Sequence, residues 1–153
     1  MRYGASMSRP ARMPVGLHLA RVAKLVGRAF DDALAQAGGS QPVWLVLVTL
    51  KSRQLASQRE LADALGIQGA TLTHHLNAME DDGLVTRRRD PANRRLHQVA
   101  LTPAGEDLFL RLRAAAGRFD TRLRGDLSEA ELDRLGRTLD LLTANLGVSE
   151  PGW

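Results

Sequence analysis

The sequence predicts a mainly α-helical fold with one small β-hairpin. Over several long stretches, apolar residues recur at spacings of three and four, which is the helical period. Two S-x-x-E sequences, at Ser57 and Ser128, have the form of capping boxes, which occur where helices begin. Between residues 85 and 102, two extended segments flank a basic run that contains turn-forming residues, a pattern typical of a hairpin.

Two elements are predicted before the first capping box. A long helix begins at Pro14 and ends at Gly38 and Gly39, and its apolar positions are Val15, Leu19, Val22, Val26, Ala29 and Ala33. The next element starts near Pro42 and contains the apolar run 43–50. This run is rich in β-branched residues, so it fits either a helix or a buried strand, and periodicity alone does not decide between them.

The central stretch, residues 57–83, predicts two helices joined by a glycine turn. The first starts at about Gln58, and Gly66 follows it as the residue best suited to a left-handed helix end. The second runs to about Asp82 and places Leu72, Leu76 and Met79 on its inward side. Its outward face carries small or polar side chains. This arrangement is the sequence form of a helix-turn-helix whose second helix enters a DNA major groove.

The basic run after Gly83 predicts a wing, a β-hairpin with arginines in and around its loop. Asp90, Pro91 and Asn93 are turn formers. Residues 84–98 hold five arginines and one aspartate, a sum of +4 that equals the formal charge of the whole chain. Arginines of this kind neutralise DNA phosphates and release counterions, and they favour narrow minor grooves. The predicted contacts are Arg87, Arg88, Arg89, Arg94 and Arg95.

Two further helices are predicted after the wing. Thr102 and Pro103 form an N-cap and a first-turn proline, and the helix that they open stops near Gly125. The capping box at Ser128 then opens a helix with a 3-4-3-4 repeat of leucines. Two interpretations remain open for this seam, an intramolecular core or a contact with a second subunit, and its members are Leu132, Leu135, Leu139, Leu142 and Leu146.

Composition narrows the function classes. The 153 residues suffice for one domain with a real core, and a pI near 10.6 favours an anionic partner. There is no cysteine, which excludes disulfides and thiolate metal sites. The basic start lacks an apolar segment followed by a cleavage site, and the run 43–50 is too short to span a bilayer, so we expect a cytoplasmic protein. No enzymatic motif is visible, and the histidine spacing does not favour a metal site or any cofactor.

These motifs together resemble the MarR family of bacterial winged helix-turn-helix transcriptional regulators. The matching positions include Leu65-Gly66-Ile67, Gly83-Leu84-Val85 and Asn93-Arg94-Arg95, although the family usually has aspartate where this chain has Asn93. Pro14-Val15-Gly16 and Trp44 are similar to the SlyA branch. The resemblance implies that residues 43–50 are helical. It also implies a helical dimerisation region at 14–54 and 103–147, a DNA-binding lobe at 55–102, and tails at 1–13 and 148–153.

The resemblance implies a homodimer that binds pseudo-palindromic double-stranded DNA through the wing and the second helix of the helix-turn-helix. The outward side chains of that helix can hydrogen-bond or contact base edges, and we call them the readers. The predicted DNA contacts of the helix are Gln68, Ala70, Thr71, Thr73, His74 and Asn77. The dimer interface is expected to include Val15 and Leu19 with the five leucines of the seam. The rival hypothesis is a winged-helix module that contacts protein without specific DNA binding.

The resemblance also implies control by a small aromatic carboxylate. Its predicted cleft is lined by His18 and Arg21 on the first helix and by Trp44 and Val48 on the second. An arginine near an indole suits such a ligand by ion pairing and stacking. The competing interpretation places Trp44 and Val48 in the plain hydrophobic core.

Overall fold

The computed structural model describes residues 13–53, 56–94 and 97–147 and confirms the predicted fold class. Within these ranges, the chain forms six helices and a small antiparallel sheet. The elements in chain order are α1 Val15–Gln36, α2 Gln41–Arg53, β1 Ala56–Ser57, α3 Gln58–Leu65, α4 Gly69–Asp81, β2 Val85–Arg89, β3 His97–Leu101, α5 Pro103–Arg124 and α6 Glu129–Asn145.

The predicted helix ends are present as local hydrogen bonds. The Ser57 hydroxyl accepts from the Glu60 amide at 3.1 Å, and the Glu60 carboxylate accepts from the Ser57 amide at 2.9 Å. The same reciprocal pair joins Ser128 and Glu131. Gly66 is left-handed, with φ 64° and ψ 30°. Pro14, predicted as the first helical residue, is instead the N-cap of α1, so the helix begins one position later, at Val15.

The apolar run of α2 is helical. This confirms the helical interpretation that the family resemblance implied, where the β-branched residues alone were compatible with either a helix or a strand. Val46, Leu47 and Leu50 are buried. They pack in one core with residues of α1, α3, α4, α5 and the sheet, so burial outweighs the strand propensity of the run. Fully buried members of this core include Leu34, Leu61, Leu72, Leu76, Met79, Val85, Val99 and Leu112.

The sheet has the strand order β1-β3-β2 with both pairings antiparallel. β2 and β3 form the predicted wing, with Val85 opposite Leu101 and Arg89 opposite His97. The sequence did not predict β1, which places Ala56 opposite Val99 and Ser57 opposite Gln98. Ser57 is thus both the last residue of β1 and the N-cap of α3. This double role attaches the wing to the helix-turn-helix.

Helix α5 begins in close contact with the end of α4 and the start of the wing. The Thr102 hydroxyl donates to the Gly83 carbonyl at 2.5 Å and accepts from the Gly105 amide at 3.0 Å. The Thr102 amide donates to the Leu84 carbonyl at 3.1 Å. A Cβ on Gly105 would overlap the Leu84 carbonyl oxygen, so the approach of α5 to the wing requires glycine at this position.

The leucine seam of α6 does not form an intramolecular core. No residue of α6 is buried. Leu135 is 50% exposed and Leu146 is 76% exposed, and Leu132 and Leu142 are only partly covered. The N-terminal half of α1 is similarly open, since Val15 and Leu19 are both exposed. Two apolar helix faces of the described chain therefore have no intramolecular cover.

Within the described residues, no helix combines the length and apolar character needed to cross a membrane.

Candidate nucleic-acid interface

An open groove lies between α3, one side of α4 and the strands of the wing. The groove has a volume of about 800 Å³, and its lining includes Gln58, Gly69, Thr73, Glu80, Arg87 and His97. On α4, the predicted readers Ala70, Thr71, His74 and Asn77 are exposed, as is Gln68 at the N-cap. The structure thus brings the predicted reading helix and the basic hairpin together on one accessible surface.

Thr73, like Asn77, is a predicted reader whose side chain is already hydrogen-bonded within the lobe. It accepts from the Gln58 amide nitrogen at 2.5 Å and donates to the Gly69 carbonyl at 2.9 Å. These bonds link the start of α3 to the first turn of α4. Thr73 therefore helps to set the angle between the two helices, and its role in base reading remains a prediction.

Arg87 joins the wing to α4 through a charged cluster that the sequence analysis missed. Its Nε and Nη2 atoms donate to Glu80 Oε2 at 3.0 and 2.6 Å, and Nη2 also donates to Asn77 Oδ1 at 2.7 Å. Its backbone amide donates to Glu80 Oε1 at 3.3 Å. The hydrogen bonds from Arg87 hold the pKa of the Glu80 carboxyl below its ordinary value, despite partial burial, which raises it.

This cluster changes the interpretation of the wing arginines. Arg87 was predicted to neutralise phosphate, but its side chain is only 19% exposed and its charge is paired with Glu80. Arg88, Arg89 and Arg94 are exposed, and no carboxylate pairs with them in the described part of the chain. Arg95 lies outside the described residues. Unpaired wing charge is therefore carried by Arg88, Arg89 and Arg94.

Asp90 organises the wing turn. Its Oδ1 accepts from the Ala92 amide at 2.8 Å and its Oδ2 accepts from the Gln98 side-chain amide at 3.2 Å. The first bond closes an Asx-type turn, and the second ties that turn to β3. Asn93 stands where the family that the sequence resembles usually has aspartate. In the structure, the carboxylate that supports the hairpin is that of Asp90, at the start of the loop.

The structure of one chain does not assemble the predicted effector cleft. His18 and Arg21 line a shallow groove of about 300 Å³ together with Met13, Val22 and Leu25 of the N-terminal segment and α1. The Trp44 ring instead stacks on Phe109, with 5.9 Å between ring centroids, and Val48 packs against the core. The two predicted pairs therefore lie in different environments.

The histidines do not form a metal centre with neighbouring acids in the described ranges, where no group of three or more potential ligands is arranged to hold an ion. The rings of His74 and His75 are 5.9 Å apart and tilted. His74 is exposed, whereas His75 is partly buried.

We expect the pair of Arg87 and Glu80 to orient the wing relative to α4, and not to supply net positive charge for DNA binding. In the double variant Glu80→Gln, Arg87→Gln, the net charge of the protein is conserved, so the slope of log K against log salt should not change. Its preference for specific over scrambled DNA should fall about threefold to tenfold, because the wing loses its link to α4. As the control, Arg88→Gln should lower the slope by about 0.9 for each subunit bound, the value for one phosphate contact. Fluorescence anisotropy measures both quantities, and a lowered slope in the double variant would show that Arg87 contacts phosphate.

The lowered pKa of Glu80 determines the pH range over which its pairing with Arg87 stabilises the fold. A carboxyl whose pKa is lower in the folded than in the unfolded state stabilises the fold above its ordinary pKa of 4.5. That contribution should disappear as the pH falls through the lowered value. A carbon-13 NMR titration of the Glu80 carboxyl should give a midpoint below 4.5, and Arg87→Gln should return the midpoint toward 4.5. An identical midpoint in both proteins would show that Arg87 does not cause the shift.

Comparison with known proteins supports the interpretation of this surface. The MarR family model matches residues 40–97, which cover α2, the helix-turn-helix and the first part of the wing. The transcriptional repressor CouR, solved bound to a 23-mer DNA duplex, is 29% identical with a TM-score of 0.77. The alignment covers 85% of this chain and 92% of CouR.

Two further solved structures share the fold. A MarR-family transcriptional regulator from Rhodococcus sp. RHA1 is 26% identical with a TM-score of 0.72, over 84% of this chain and 91% of the regulator. BpsR of Bordetella bronchiseptica is 23% identical with a TM-score of 0.75, over 89% of this chain and 97% of BpsR. Residues 40–97 therefore match the MarR family, and the chain has the winged-helix fold of MarR-family transcriptional regulators.

Proposed function

We propose that this protein is a transcriptional regulator that binds double-stranded DNA in a sequence-specific manner, as a homodimer on pseudo-palindromic promoter sites. The observation that carries the proposal is an exposed α4 face joined through Arg87 to a wing whose exposed arginines Arg88, Arg89 and Arg94 pair with no carboxylate in the described ranges. The similarity to CouR, which was solved on a DNA duplex, supports the same use of this surface.

Each part of the surface has a distinct task in this proposal. Arg88 and Arg89 neutralise phosphates beside the wing, and Arg94 enters the minor groove, with Arg95 beside it in sequence. The α4 side chains Thr71 and His74 face base edges in the major groove, and Ala70 offers a methyl contact. No arginine or lysine lies on α4, so shape and weak polar contacts contribute more of the specificity than bidentate guanine contacts do.

The homodimer follows from the uncovered apolar faces. Contiguous exposed apolar residues of this size and number are typical of an interaction surface, and a second copy of the chain offers the same apolar faces. In the proposed dimer, Val15 and Leu19 of α1 and the five leucines of α6 are buried against the second subunit. Two-fold symmetry then presents two reading helices to half-sites about one helical turn apart.

The decisive experiment is a fluorescence-anisotropy titration on the intergenic DNA upstream of the gene and on scrambled DNA, at several salt concentrations. Wild-type protein should prefer the native fragment with a steep salt dependence. Arg94→Ala should weaken that binding about tenfold for each subunit bound, the loss expected for one charge-assisted contact. Arg113→Ala is the charge-matched control, since Arg113 is exposed on α5 and outside the wing.

The same titration tests the rival function, a winged-helix module that contacts protein instead of DNA. That module should bind both fragments equally and weakly, and Arg94→Ala should then behave like Arg113→Ala. Three exposed arginines without partners disfavour it, because a protein-contact surface has no need for concentrated unpaired positive charge.

We further propose release by a small aromatic carboxylate, in keeping with a SlyA-like member of the family. The DNA binding of BpsR is described as regulated by 6-hydroxynicotinic acid, an aromatic acid. In this chain, the exposed Arg21 and His18 supply the charge, and the half-buried Trp44 and Val48 supply an apolar wall. Since one chain keeps these pairs apart, the cleft proposed here takes its two halves from different subunits of the dimer.

A further inference from the structure

The outward face of α4 has a single side chain that can acquire positive charge, His74. The helix contains no arginine or lysine, and the outward side chains near His74 include the uncharged Thr71 and Asn77. Asp81, at the exposed C-terminal end of the helix, is acidic. When His74 is neutral, this face therefore brings no positive charge to DNA, and protonation of one imidazole changes its electrostatic character.

The imidazole of His74 is open to an incoming ligand. Its side chain is exposed, and within the described ranges it forms no hydrogen bond or ion pair. Its ring contact is with His75, at 5.9 Å between the ring centroids. His75 is partly buried and lines a recess on the α2 side of the helix with Leu45 and Ile67, so it does not share the open face.

In the described chain, no carboxylate is positioned to pair with a protonated His74. The main elements that pack against α4 are α2, α3 and β2. Most of their charged side chains are paired or lie on the flank of α4 that faces the wing: Lys51 with Glu106, Arg87 with Glu80, Glu60 with the Ser57 amide, and Arg59 and Asp63 in the groove beside Thr73. The remaining charges of these elements, on Arg53, Arg88 and Arg89, are positive. The negative potential that favours a protonated His74 is therefore that of the DNA phosphates.

Protonation changes what an imidazole can recognise. A neutral imidazole has one donor and one acceptor, whereas a protonated imidazole has two donors and no acceptor. In the major groove, guanine presents two adjacent acceptors, N7 and O6, while adenine presents a donor beside its N7. A positively charged donor is therefore attracted to guanine and repelled by the amino group of adenine. Imidazole changes its charge between about pH 5 and pH 8, so both forms are accessible to a protein in solution.

We propose that His74 binds DNA in its protonated form and selects guanine in each half-site through one charge-assisted hydrogen bond. This assignment rests on the proposed function, because it gives a base and a charge state to one residue of the same surface. Each subunit then takes up a proton as it binds, so the affinity rises as the pH falls. By linkage, the logarithm of the association constant should fall by up to about one per pH unit for each subunit bound. Glu80 does not add to this slope, because the hydrogen bonds from Arg87 hold the pKa of its carboxyl below 4.5.

Fluorescence anisotropy of the full chain on the upstream intergenic fragment, from about pH 5.5 to about pH 7.5 at constant ionic strength, measures this proton uptake. Wild-type affinity should increase about tenfold or more as the pH falls through this range. His74→Gln keeps a polar side chain that does not titrate, and it should flatten the profile. His74→Lys is charged at every pH and should also give a flat profile, at higher affinity than His74→Gln. The matched controls His75→Gln and His97→Gln should keep the wild-type slope.

A scan in which G·C pairs are replaced by A·T pairs, at about pH 6, tests the choice of base. One such change should weaken wild-type binding about tenfold per half-site, and the same change should leave the affinity of His74→Gln unaltered. Circular dichroism should first show that each variant is folded. A flat wild-type pH profile, or the same slope in wild type and His74→Gln, would overturn the assignment of the proton. Absence of any G·C position whose effect depends on His74 would overturn the choice of guanine. Equal binding of native and scrambled DNA at every pH would instead refute the proposed function.

Discussion

The double variant Leu135→Asp, Leu139→Asp is expected to be monomeric and to lose at least about 100-fold in affinity for a two-half-site DNA fragment. Both leucines lie on the exposed seam of α6, at 50% and 38% exposure. In the proposed dimer each aspartate would be buried without a partner, which costs several kcal/mol per charge. A monomer holds one half-site at a time, so it loses the effective concentration that linkage of two binding units supplies, a factor of about 100 to 10,000.

Leu141→Asp is the matched control for this variant. Leu141 is a leucine of the same helix at 64% exposure, but the helical period places it opposite the seam. Analytical ultracentrifugation should therefore show a dimer for Leu141→Asp and a monomer for the double variant. If the two proteins sediment alike, the seam of α6 is not the dimer interface. Because neither change removes an intramolecular core contact, both proteins should retain the helical content of the wild type.

The second large effect is expected at Gly105. In Gly105→Ala the added methyl group overlaps the Leu84 carbonyl oxygen, so α5 must move away from the wing or the turn before β2 must shift. Overpacking of this kind costs about 1–3 kcal/mol, and a backbone oxygen gives less way than a flexible side chain does. We therefore expect a loss of about 3 kcal/mol in the free energy of unfolding, at the upper end of that range. Urea denaturation followed by circular dichroism measures it.

Gly117 provides the same substitution on the same helix without the steric conflict. A Cβ at this position meets no atom within 4 Å. Gly117→Ala should therefore stabilise α5 by about 0.5–1 kcal/mol, through helix propensity alone. Opposite signs at the two positions would confirm that the contact with Leu84 fixes the start of α5. A comparable stability change in both variants would show that the backbone at Leu84 relaxes freely.

Local signals explain most of what the sequence could predict. Helix ends depend on hydrogen bonds between residues at most four positions apart, so they can be predicted from the sequence alone. Examples are the capping boxes at Ser57 and Ser128 and the left-handed Gly66. The helical state of α2 was not legible in this way. It depends on burial of Val46, Leu47 and Leu50 among other elements, and the resemblance to a known family supplied that information.

The features that sequence analysis missed are all non-local. β1 has only two residues, and its existence depends on Val99 and Gln98 of a strand more than forty positions away. In the sequence, Arg87 looks like its neighbours Arg88 and Arg89. Its pairing with Glu80 becomes visible only when the chain turns at Gly83 and brings β2 back along α4. One usable signal was present, because Asn77 and Glu80 are three residues apart and so share one face of a helix.

The central position of β3 in the sheet divides the wing into two parts for protein engineering. β3 is held on both edges, by β2 and by the residues that lead into α3, so replacing it would disturb the helix-turn-helix as well. Residues 90–94, the described part of the connection between Arg89 and His97, pair with no strand. Loops from other winged proteins are therefore best exchanged between these two positions, with the pairing of Arg89 and His97 kept as the junction. The DNA preference can then be changed by substitutions at the tip of the wing, while the sheet and the helix-turn-helix stay intact.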